Sequence, residues 1–479
     1  MNVWLISTRR DENIILTAEE KEYKKLDCYS CGESMADRWN PTLSLHVDEK
    51  RTNVVYSDAL SFAAAYFILS ERALKIFQDY AKDKIECLPF QCKQEGYLIV
   101  NPLEFVDCLD MERSEYKVYK GNPDKIQSYM KLCFVKSEVD GKHLFRIKHM
   151  DKYLVACSDT FKEALESARE RIAAHLGCQA REIYFTSGGT EADNMAIRTA
   201  AALGARKGKK HIISTAFEHH AVLHTLKKLE KEGFEVTLLD VADTHNITAE
   251  QVKDAIREDT CLVTTMFANN EIGSVLPIRQ IGAVCKEAGV IFHTDAVQAV
   301  GHLPIHVKND NIDMLSLSGH KFHGPRGVGV LYIRRGIAPA NIIEGGGQER
   351  GKRPGTENLP GIMGMAAALD EAIEKMDEHT EKVTALRDRL IAGLSKVPHC
   401  VLNGDPVNRL PGNVSFCFEG IEGEALLLLL DARGVCASSG SACTSGSLDP
   451  SHVLLAIGRP HEIAHGSLRL SLSDENTEE

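Results

Sequence analysis

Five short apolar or β-branched runs after residue 180 each end in residues that could do chemistry. These residues are the turn 187–190 (Ser-Gly-Gly-Thr), His219, Asn270, Asp295 with Gln298 one turn further on, and Ser318 with His320 and Lys321. One such residue usually forms a turn or a cap, but five runs that end this way are hard to assign to chance. In open α/β sheets, ligands bind beyond the carboxyl ends of the strands, so we expect these residues to meet at one sheet edge.

The combined chemistry of these residues is what pyridoxal phosphate requires. Lys321 could form a Schiff base, and Asp295 could pair with a protonated ring nitrogen. The turn 187–190 follows a strand and opens a helix, where backbone N–H groups suit a phosphate. His219 could stack over the ring. An ordinary glycine turn and a solvated loop lysine are the alternatives for single residues, but the combination favours the cofactor.

Cys443 indicates a second kind of chemistry. It lies in residues 438–447, ten residues that are all Ser, Gly, Ala, Thr or Cys. Such a stretch cannot contribute a packed core. Because structural cysteines are usually buried, a cysteine in this stretch indicates a reactive thiol, with a tolerated surface cysteine as the alternative.

These stretches resemble the cysteine desulfurase family, the class V branch of the fold-type I pyridoxal phosphate enzymes. The resemblance covers about residues 160–474. It is carried by six ordered stretches, which are residues 186–194, 269–273, 294–298, 318–321, 353–356 and 438–445.

The resemblance implies a role for each site residue. Those implied to contact the phosphate are Gly189, Thr190, Ser318 and, from the neighbouring subunit of a dimer, Thr356. Those implied to contact the rest of the cofactor are His219, Asn270, Asp295, Gln298, His320 and the Schiff-base residue Lys321. Arg469 matches the arginine that holds the substrate carboxylate.

The resemblance also implies the reaction. L-Cysteine would become L-alanine while its sulfur passes to Cys443 as a persulfide. The sulfur would then go to a protein that builds iron–sulfur clusters or to one that modifies tRNA. We therefore expect a pyridoxal phosphate-dependent cysteine desulfurase with L-cysteine and a sulfur-acceptor protein as partners.

The elements that must position these residues follow from the alternation of apolar runs with helical stretches. The runs are residues 182–186, 211–215, 234–240, 261–267, 290–294, 313–317 and 327–333, and they predict a mostly parallel seven-stranded sheet wrapped by helices. The last two runs are joined by too few residues for a parallel crossover, so the last should be antiparallel. A helix should start at Thr160 and stop at Gly177. We predict a large cofactor-binding domain over residues 158–370 and a smaller α+β domain over 371–479.

Residues 1–157 differ from the rest in composition. They hold 19 of the 30 aromatic residues but 4 of the 36 glycines, which indicates a unit of separate origin. Strand-like runs at 3–7, 97–100 and 144–147, with a helical stretch at 61–82, predict an α+β unit. Its start and general make-up are similar to immunity-type proteins of bacterial toxin systems.

Composition excludes several functional classes. The length of 479 residues suggests about three domains at roughly 150 residues each. A net charge of −12 argues against a broad nucleic-acid-binding face. Apolar runs fall short of the ~20 residues of a membrane span, and the charged start argues against a secretory signal. Fourteen cysteines in so long a chain fit a reducing compartment, so we expect a cytoplasmic protein.

Two groups of residues are of types that could bind a metal, but another interpretation is preferred for each. His220 and His224 lie four apart on a probable helix turn but lack a third ligand in the sequence. A zinc site on irregularly spaced cysteines stays an alternative to ordinary thiols, and its ligands would be Cys28, Cys31, Cys87 and Cys92. We predict that no metal is bound.

Two other functions stay open. The family normally has a further segment before the helix at Thr160, with a loop near the substrate, and residues 1–157 stand in its place. An immunity or binding protein fused to an inactive desulfurase remnant is therefore one alternative, and weak turnover is the expectation if the site works. A related lyase acting on selenocysteine is the other, but Cys443 favours the desulfurase.

Overall fold

A computed structural model describes residues 159–242, 244–440 and 450–478, with side chains from residue 165 onward. Within residues 1–158 it describes the backbone of twelve strands. These strands are β1 (Trp4–Ile6), β2 (Ile15–Thr17), β3 (His46–Val47), β4 (Ala59–Phe62), β5 (Phe67–Ser70), β6 (Ile85–Pro89), β7 (Tyr97–Pro102), β8 (Phe105–Val106), β9 (Glu115–Tyr119), β10 (Asn122–Lys131), β11 (Leu144–Ile147) and β12 (Val155–Cys157).

The N-terminal strands form three sheets, in the orders β1-β12-β11-β8, β3-β2-β4-β5-β7-β6 and β10-β9. The strands predicted at 3–7, 97–100 and 144–147 are confirmed. The helix predicted from residue 61 is wrong over its first part, because β4 and β5 occupy residues 59–62 and 67–70. The spacing of apolar residues in a short run does not show whether the run forms a helix or a strand. Here the pairing of β5 with β7 makes residues 67–70 a strand.

A seven-stranded sheet forms the centre of the remaining chain, in the order β13-β19-β18-β17-β16-β14-β15. Strands β14 to β18 run parallel, and β19 is antiparallel to both β18 and β13. The predicted sheet and the antiparallel last strand are therefore confirmed. The strands are β13 (Ile183–Thr186), β14 (His211–Thr215), β15 (Glu235–Leu239), β16 (Thr260–Met266), β17 (Ile291–Asp295), β18 (Met314–Ser318) and β19 (Gly329–Ile333).

Helices cover this sheet because its central strands are buried along their whole length, as apolar and β-branched runs require. In chain order, and including those that pack on the smaller C-terminal sheet, the helices after residue 158 are α1 (Asp159–Leu176), α2 (Gly189–Ala205), α3 (His220–Lys231), α4 (Ala249–Ala255), α5 (Ile278–Ala288), α6 (Leu359–Glu374), α7 (Met376–Leu394), α8 (Gly423–Asp431), α9 (His452–Ala456) and α10 (His461–Ala464). Helix α2 packs on β16, β18 and β19, and its Met195 and Ile197 are fully buried.

Helix α1 ends where the sequence predicts, and the structure gives the reason. It begins one residue before Thr160 and ends at Leu176, directly before Gly177. Gly177 has a φ of +70°, and a Cβ there would lie 2.4 Å from the His306 ring. Both the backbone conformation and the space therefore require glycine at this helix end.

The C-terminal part forms a smaller antiparallel sheet of β20 (Cys400–Leu402), β21 (Asn413–Phe418) and β22 (Ser467–Ser471). Val414, Phe416, Phe418 and Leu468 are its buried core, and side chains of α7 and α8 pack against them. Strand β22 pairs with β21 so that Arg469 stands opposite Ser415. This register places Arg469 at a fixed position beside the large sheet.

The chain divides into two compact units. One consists of Met1–Arg169, Gly324–Gly327 and Thr356–Ala367, and the other contains the rest of the chain, including the seven-stranded and C-terminal sheets. The three-domain division at residues 157 and 370 stays a prediction. Among the described residues, no helix is both long enough and apolar enough to cross a bilayer.

Candidate active site

The turn between β13 and α2 forms a cradle of main-chain N–H groups. Gly188 has a φ of +151° and stands directly before the first turn of α2. A Cβ on Gly189 would lie 2.6 Å from Val297 Cγ2, and one on Gly188 would lie 3.6 Å from Ser318 Oγ. The sequence therefore needs glycine here, because the turn closes against the ends of two neighbouring strands. The first N–H groups of a helix lack intrahelical acceptors and attract anions.

A buried ion pair holds this cradle in place. The Glu191 carboxylate accepts a hydrogen bond from the Ser187 N–H at 2.7 Å and two from the Arg353 guanidinium at 2.6 and 2.9 Å. These bonds outweigh the burial of Glu191 and lower its pKa. The Arg353 stretch found in the sequence thus supports the cradle from behind.

Asp295 ends β17 and is buried. Its Oδ1 accepts a hydrogen bond from the Val297 N–H at 3.0 Å. Burial raises its pKa to about 6, although that hydrogen bond and the charge of Lys321 lower it. A buried carboxylate this close to a lysine is suited to hold a proton on a bound heterocyclic nitrogen.

Lys321 lies in a short helical turn, Gly319–Phe322, that follows β18. His302 Nε2 lies 2.9 Å from the Lys321 carbonyl oxygen, which fixes the backbone of this turn. In the same turn, His320 Nδ1 lies 2.9 Å from Ser318 Oγ. The two neighbours of Lys321 that sequence analysis singled out therefore contact each other, while the His320 ring is exposed.

His219 is held as a neutral acceptor at the start of α3. Its Nδ1 accepts a hydrogen bond from the Ala221 N–H at 3.1 Å. Burial lowers its pKa, and the charge of Lys321 lowers it further. A neutral imidazole with a fixed orientation is suited to stack on an aromatic ring.

Glu218 supports His219 from the preceding position. Its Oε1 accepts from Thr215 Oγ1 at 2.6 Å and from the Met266 N–H at 2.9 Å. Full burial raises its pKa to about 8. The end of β14 and the end of β16 are thereby joined below the site.

Two more titratable residues lie behind Asp295. Burial, followed by the charge of Asp295, raises the pKa of Asp193, and its Oδ1 lies 3.7 Å from His293 Nε2. His293 is fully buried between Thr264 Oγ1 at 2.8 Å and Ser316 Oγ at 3.0 Å, and burial lowers its pKa to about 3. Burial therefore disfavours the charged form of both groups, which favours Asp295 as the carboxylate that could hold a proton on a bound ring nitrogen.

Asn270 and Arg469 meet at the edge of the site. Arg469 Nη1 donates to the Asn270 carbonyl oxygen at 3.3 Å. Asn269 sets this position, because its buried side chain accepts from the Glu271 N–H at 2.8 Å and donates to the Phe217 carbonyl at 2.9 Å. An arginine on a strand beside the Asp295–Lys321 edge is suited to bind a carboxylate.

The remaining predicted residues differ in what the structure shows of them. Gln298 is half-buried in the turn after Asp295, and Thr190 is exposed in the first turn of α2. Thr356 is exposed and falls in the other compact unit. Cys443 lies outside the described residues, as do the side chains of the cysteines weighed as a zinc site.

Sequence reasoning missed several residues that support the site. Glu191 and Asn269 stood inside the recognised stretches, so they could have been assigned a role. Glu271 also stood inside a recognised stretch, whereas Glu218, His293 and His302 carry no local signal, because their partners are distant in the chain. They were found from contacts alone.

The described residues fit pyridoxal phosphate. The glycine cradle has no room for a Cβ on Gly189 but presents helix N–H groups beside the Ser318 hydroxyl. Asp295 offers a carboxylate for a protonated ring nitrogen, Lys321 offers an amine, and His219 offers a neutral imidazole. An anion site, a carboxylate and a lysine at the ends of three strands of one sheet are the donor set of this cofactor.

Fold and site together define a fold-type I pyridoxal phosphate enzyme, with the cofactor site at the carboxyl edge of the sheet. The family model "Aminotransferase class-V" matches residues 151–479, and the chain belongs to that family. Pyridoxal phosphate is the family's cofactor. A second model, "Immunity protein family (Imm11)", matches residues 7–180, in agreement with the resemblance noted for the N-terminal unit.

Characterised relatives and solved structures agree with this assignment. The chain is 56% identical over 329 residues to the cysteine desulfurase IscS of Clostridium botulinum (strain Hall), covering 68% of this chain and 83% of that protein. A solved structure of a NifS-like protein has a TM-score of 0.62 and 38% identity, covering 67% of this chain and 84% of the other. The structure of SspA in complex with cysteine has a TM-score of 0.58 and 38% identity, covering 67% and 89%.

Proposed function

We propose that this protein is a pyridoxal phosphate-dependent cysteine desulfurase. The observation that carries the proposal is that the Gly188–Gly189 cradle, Asp295 and Lys321 follow the ends of three strands of one sheet, with Arg469 bonded to the Asn270 carbonyl beside them. Identity of 56% to a named cysteine desulfurase supports the same activity. The site residues below are assigned within this proposal.

The residues around Asp295 would bind and orient the substrate. Pyridoxal phosphate, when bound, supplies an electron-withdrawing ring that stabilises negative charge at the substrate Cα. Asp295 holds the proton on the ring nitrogen that makes the ring withdrawing, and His219 and Asn270 fix the ring position. Gly189, Thr190 and Ser318 bind the phosphate. Arg469 binds the α-carboxylate of L-cysteine, which orients the substrate sulfur.

Lys321 provides the amine that anchors the cofactor before the substrate arrives. With the substrate amine bound, the Nζ of Lys321 would be free and would lie beside the substrate Cα. Gln298 and His320 support the ring and the phosphate side of this turn. Loss of the Cα proton prepares the C–S bond of the substrate for cleavage.

Cys443 carries the sulfur step. Its thiolate attacks the substrate sulfur, the S–S bond forms and the Cβ–S bond breaks. The electron pair of the broken bond stays on carbon, which takes up protons and leaves as alanine. The sulfur stays on Cys443 as a persulfide, so cysteine and one thiol give alanine and one persulfide with no further oxidant.

The activity is tested by incubating the purified, cofactor-loaded protein with L-cysteine and a thiol reductant. We expect equal amounts of alanine and sulfide, with no pyruvate. Selenocysteine turnover without cysteine turnover would favour the lyase alternative instead. A protein that binds the cofactor but forms no alanine from either substrate would favour the inactive remnant.

The final sulfur acceptor and the assembly belong to the same proposal. The persulfide on Cys443 would pass to an iron–sulfur scaffold or a tRNA-thiolation protein in the cytoplasm. The protein would act as a homodimer in which Thr356 reaches the phosphate of the neighbouring subunit, which agrees with the exposure of Thr356. Thr356→Ala should weaken cofactor binding in a dimer, and sedimentation of the holoenzyme tests the assembly.

We infer a separate role for residues 1–157, because the match to an immunity protein family covers a segment that the desulfurase relatives do not explain. This unit would bind a protein partner, as immunity proteins do. Limited proteolysis of the full chain should cut between residues 148 and 158, that is, between β11 and β12 or directly after β12. Cleavage only elsewhere would place the boundary differently.

A further inference from the structure

The segment that carries Cys443 is flanked by two described pieces of chain. On its N-terminal side, the Ser438 N–H donates to the Arg469 carbonyl at 3.1 Å, and the Arg469 N–H donates to the Ser438 carbonyl at 2.6 Å. Gly440 follows, with a φ of +62°. A Cβ placed on Gly440 would lie 3.2 Å from Glu271 Oε2, so this end of the segment passes directly over Glu271.

On its C-terminal side, the chain returns to the same carboxylate. Ser451 Oγ donates to Glu271 Oε2 at 2.5 Å. The same hydroxyl accepts from the Val453 N–H at 3.1 Å and so caps α9. A Cβ on Gly440 would lie 3.0 Å from Ser451 Cβ, which means that the two ends of the segment also contact each other.

Glu271 is well placed to hold both ends because it is rigid and buried. Its side chain is 2% exposed, and its backbone is fixed by Asn269 Oδ1 and by Asn413 Nδ2, which donates to the Glu271 carbonyl at 3.3 Å. Burying a carboxylate costs free energy unless it is hydrogen-bonded, so a purely space-filling role would suit an apolar residue better. Burial raises the pKa of Glu271, while the hydrogen bond from Ser451 lowers it and fixes the direction of the carboxyl group.

We propose that Glu271 is a positioning residue that fixes the two ends of the Cys443 segment to each other, beside Arg469. The claim rests on the proposed function, since it concerns the delivery of the Cys443 thiol to a substrate held by Arg469. The described side-chain contacts of Glu271 are with Ser451 and with the position beside Gly440. It acts through Gly440 and Ser451.

Fixing both ends limits the volume that the thiol samples and so raises its effective concentration near the substrate. Releasing one end by removal of the carboxylate should lower the rate of persulfide formation about tenfold, with the KM for cysteine unchanged. Cofactor absorbance should also be unchanged, because the cofactor residues keep their contacts. A residue with a merely structural role would instead lower cofactor binding and rate together.

The test compares holoenzymes of the natural chain, Glu271→Ala, Glu271→Gln and Ser451→Ala, with Glu419→Gln as a matched control. Glu419 is an exposed glutamate on the same small domain, paired with His399. The first readout is amide hydrogen exchange in peptides that cover residues 434–440 and 450–458. The second is the single-turnover rate of persulfide formation on Cys443, together with the KM for cysteine and the cofactor spectrum.

In Glu271→Ala, exchange should become faster at both ends and persulfide formation about tenfold slower. Glu271→Gln and Ser451→Ala should show smaller effects, because each keeps part of the contact, and the control should show none. Unchanged exchange at both ends in Glu271→Ala would overturn the proposal, and so would a rate loss matched by loss of cofactor. If the natural chain forms no persulfide, the proposed function fails, while the exchange readout still decides whether Glu271 joins the two ends.

Discussion

The cofactor edge and the root of the Cys443 segment are held in different ways. At the cofactor edge, Asp295, Ser318 and the Gly188–Gly189 turn are fixed by the ends of three strands in one continuous sheet. At the root, which consists of Ser438, Gly440 and Ser451, position depends on one backbone bridge to Arg469 and on Glu271. Electronic control thus comes from a rigid sheet, whereas the described ends of the Cys443 segment are held by contacts with Arg469 and Glu271. Substitutions should therefore separate cofactor chemistry from sulfur transfer.

The largest effect is expected at the cofactor edge, from Lys321→Ala. Without the amine, the absorbance band near the visible edge should be lost and turnover should fall at least about a thousandfold. Lys227→Ala, a change at an exposed lysine of α3, is the matched control and should leave the spectrum unchanged. An unaltered spectrum in Lys321→Ala would remove Lys321 from its role.

The next effect separates two buried carboxyl groups. Asp295→Asn keeps an acceptor for the Val297 N–H but loses the charge that holds the ring proton, so turnover should fall about a hundredfold with cofactor still bound. Asp193→Asn is the control, because burial already favours the neutral form of Asp193, and it should lose less than about tenfold. Steady-state kinetics of both holoenzymes test this assignment. A larger loss of turnover in Asp193→Asn than in Asp295→Asn would contradict it.

Cofactor affinity should also depend on pH through Asp295. Its pKa of about 6 in the cofactor-free protein means that lowering the pH through 6 protonates the carboxyl group. A protonated Asp295 no longer carries the negative charge that stabilises a protonated ring nitrogen, so the Kd for pyridoxal phosphate should rise toward acid, by up to about tenfold per pH unit below 6. Titrations in Asp295→Asn should lack this dependence. A Kd that stays flat from pH 7 to pH 5 in the natural chain would contradict it.

A smaller effect is expected at the substrate arginine. Arg469→Gln removes the guanidinium that would bind the substrate carboxylate, so the KM for cysteine should rise about ten- to a hundredfold, with less change in kcat. Arg433→Gln, at an exposed position of the same small domain, is the control. Equal KM values in the two variants would exclude Arg469 as the carboxylate ligand.

The smallest predicted effect concerns stability. Burial raises the pKa of Glu218 from 4.5 to about 8, so the stability that its neutral form provides is complete below pH 4.5 and is lost as the pH rises through 8. Glu218→Gln keeps an acceptor for Thr215 and Met266 and stays neutral. At pH 9 it should be more stable than the natural chain by about 2–4 kcal/mol, and near pH 5 equally stable. Denaturant unfolding at both pH values checks this, and a pH-independent difference would contradict it.

Much of the large sheet could be predicted from sequence because its strands are buried on both faces. The run 211–215 coincides with β14, and the antiparallel course of β19 followed from the short connection after β18. The site residues were recognised because they stand directly after such strands. The helix predicted from residue 61 was wrong at β4 and β5, because a short apolar run fits either a helix or a strand, and β5 is decided by its partner β7.

Contacts between distant residues were beyond sequence reasoning. Glu271 and Ser451 are 180 positions apart, and His302 and Lys321 are joined only through a backbone carbonyl. Neither pair has a periodic or local pattern, because each depends on how separate elements pack. The residues that hold the site residues in place could therefore be identified only from the structure.

The central claim is that sulfur leaves cysteine by way of Cys443, and one measurement tests it most directly. The cofactor-loaded natural chain and Cys443→Ala are each mixed with L-cysteine, trapped with an alkylating reagent and analysed by peptide mass spectrometry with alanine quantified in parallel. The account predicts one added sulfur atom on the peptide that contains Cys443, an equal amount of alanine in the first turnover, and neither in Cys443→Ala, which keeps its cofactor spectrum. Equal alanine from Cys443→Ala, or a cofactor-loaded natural chain that never gains sulfur on Cys443, would contradict it.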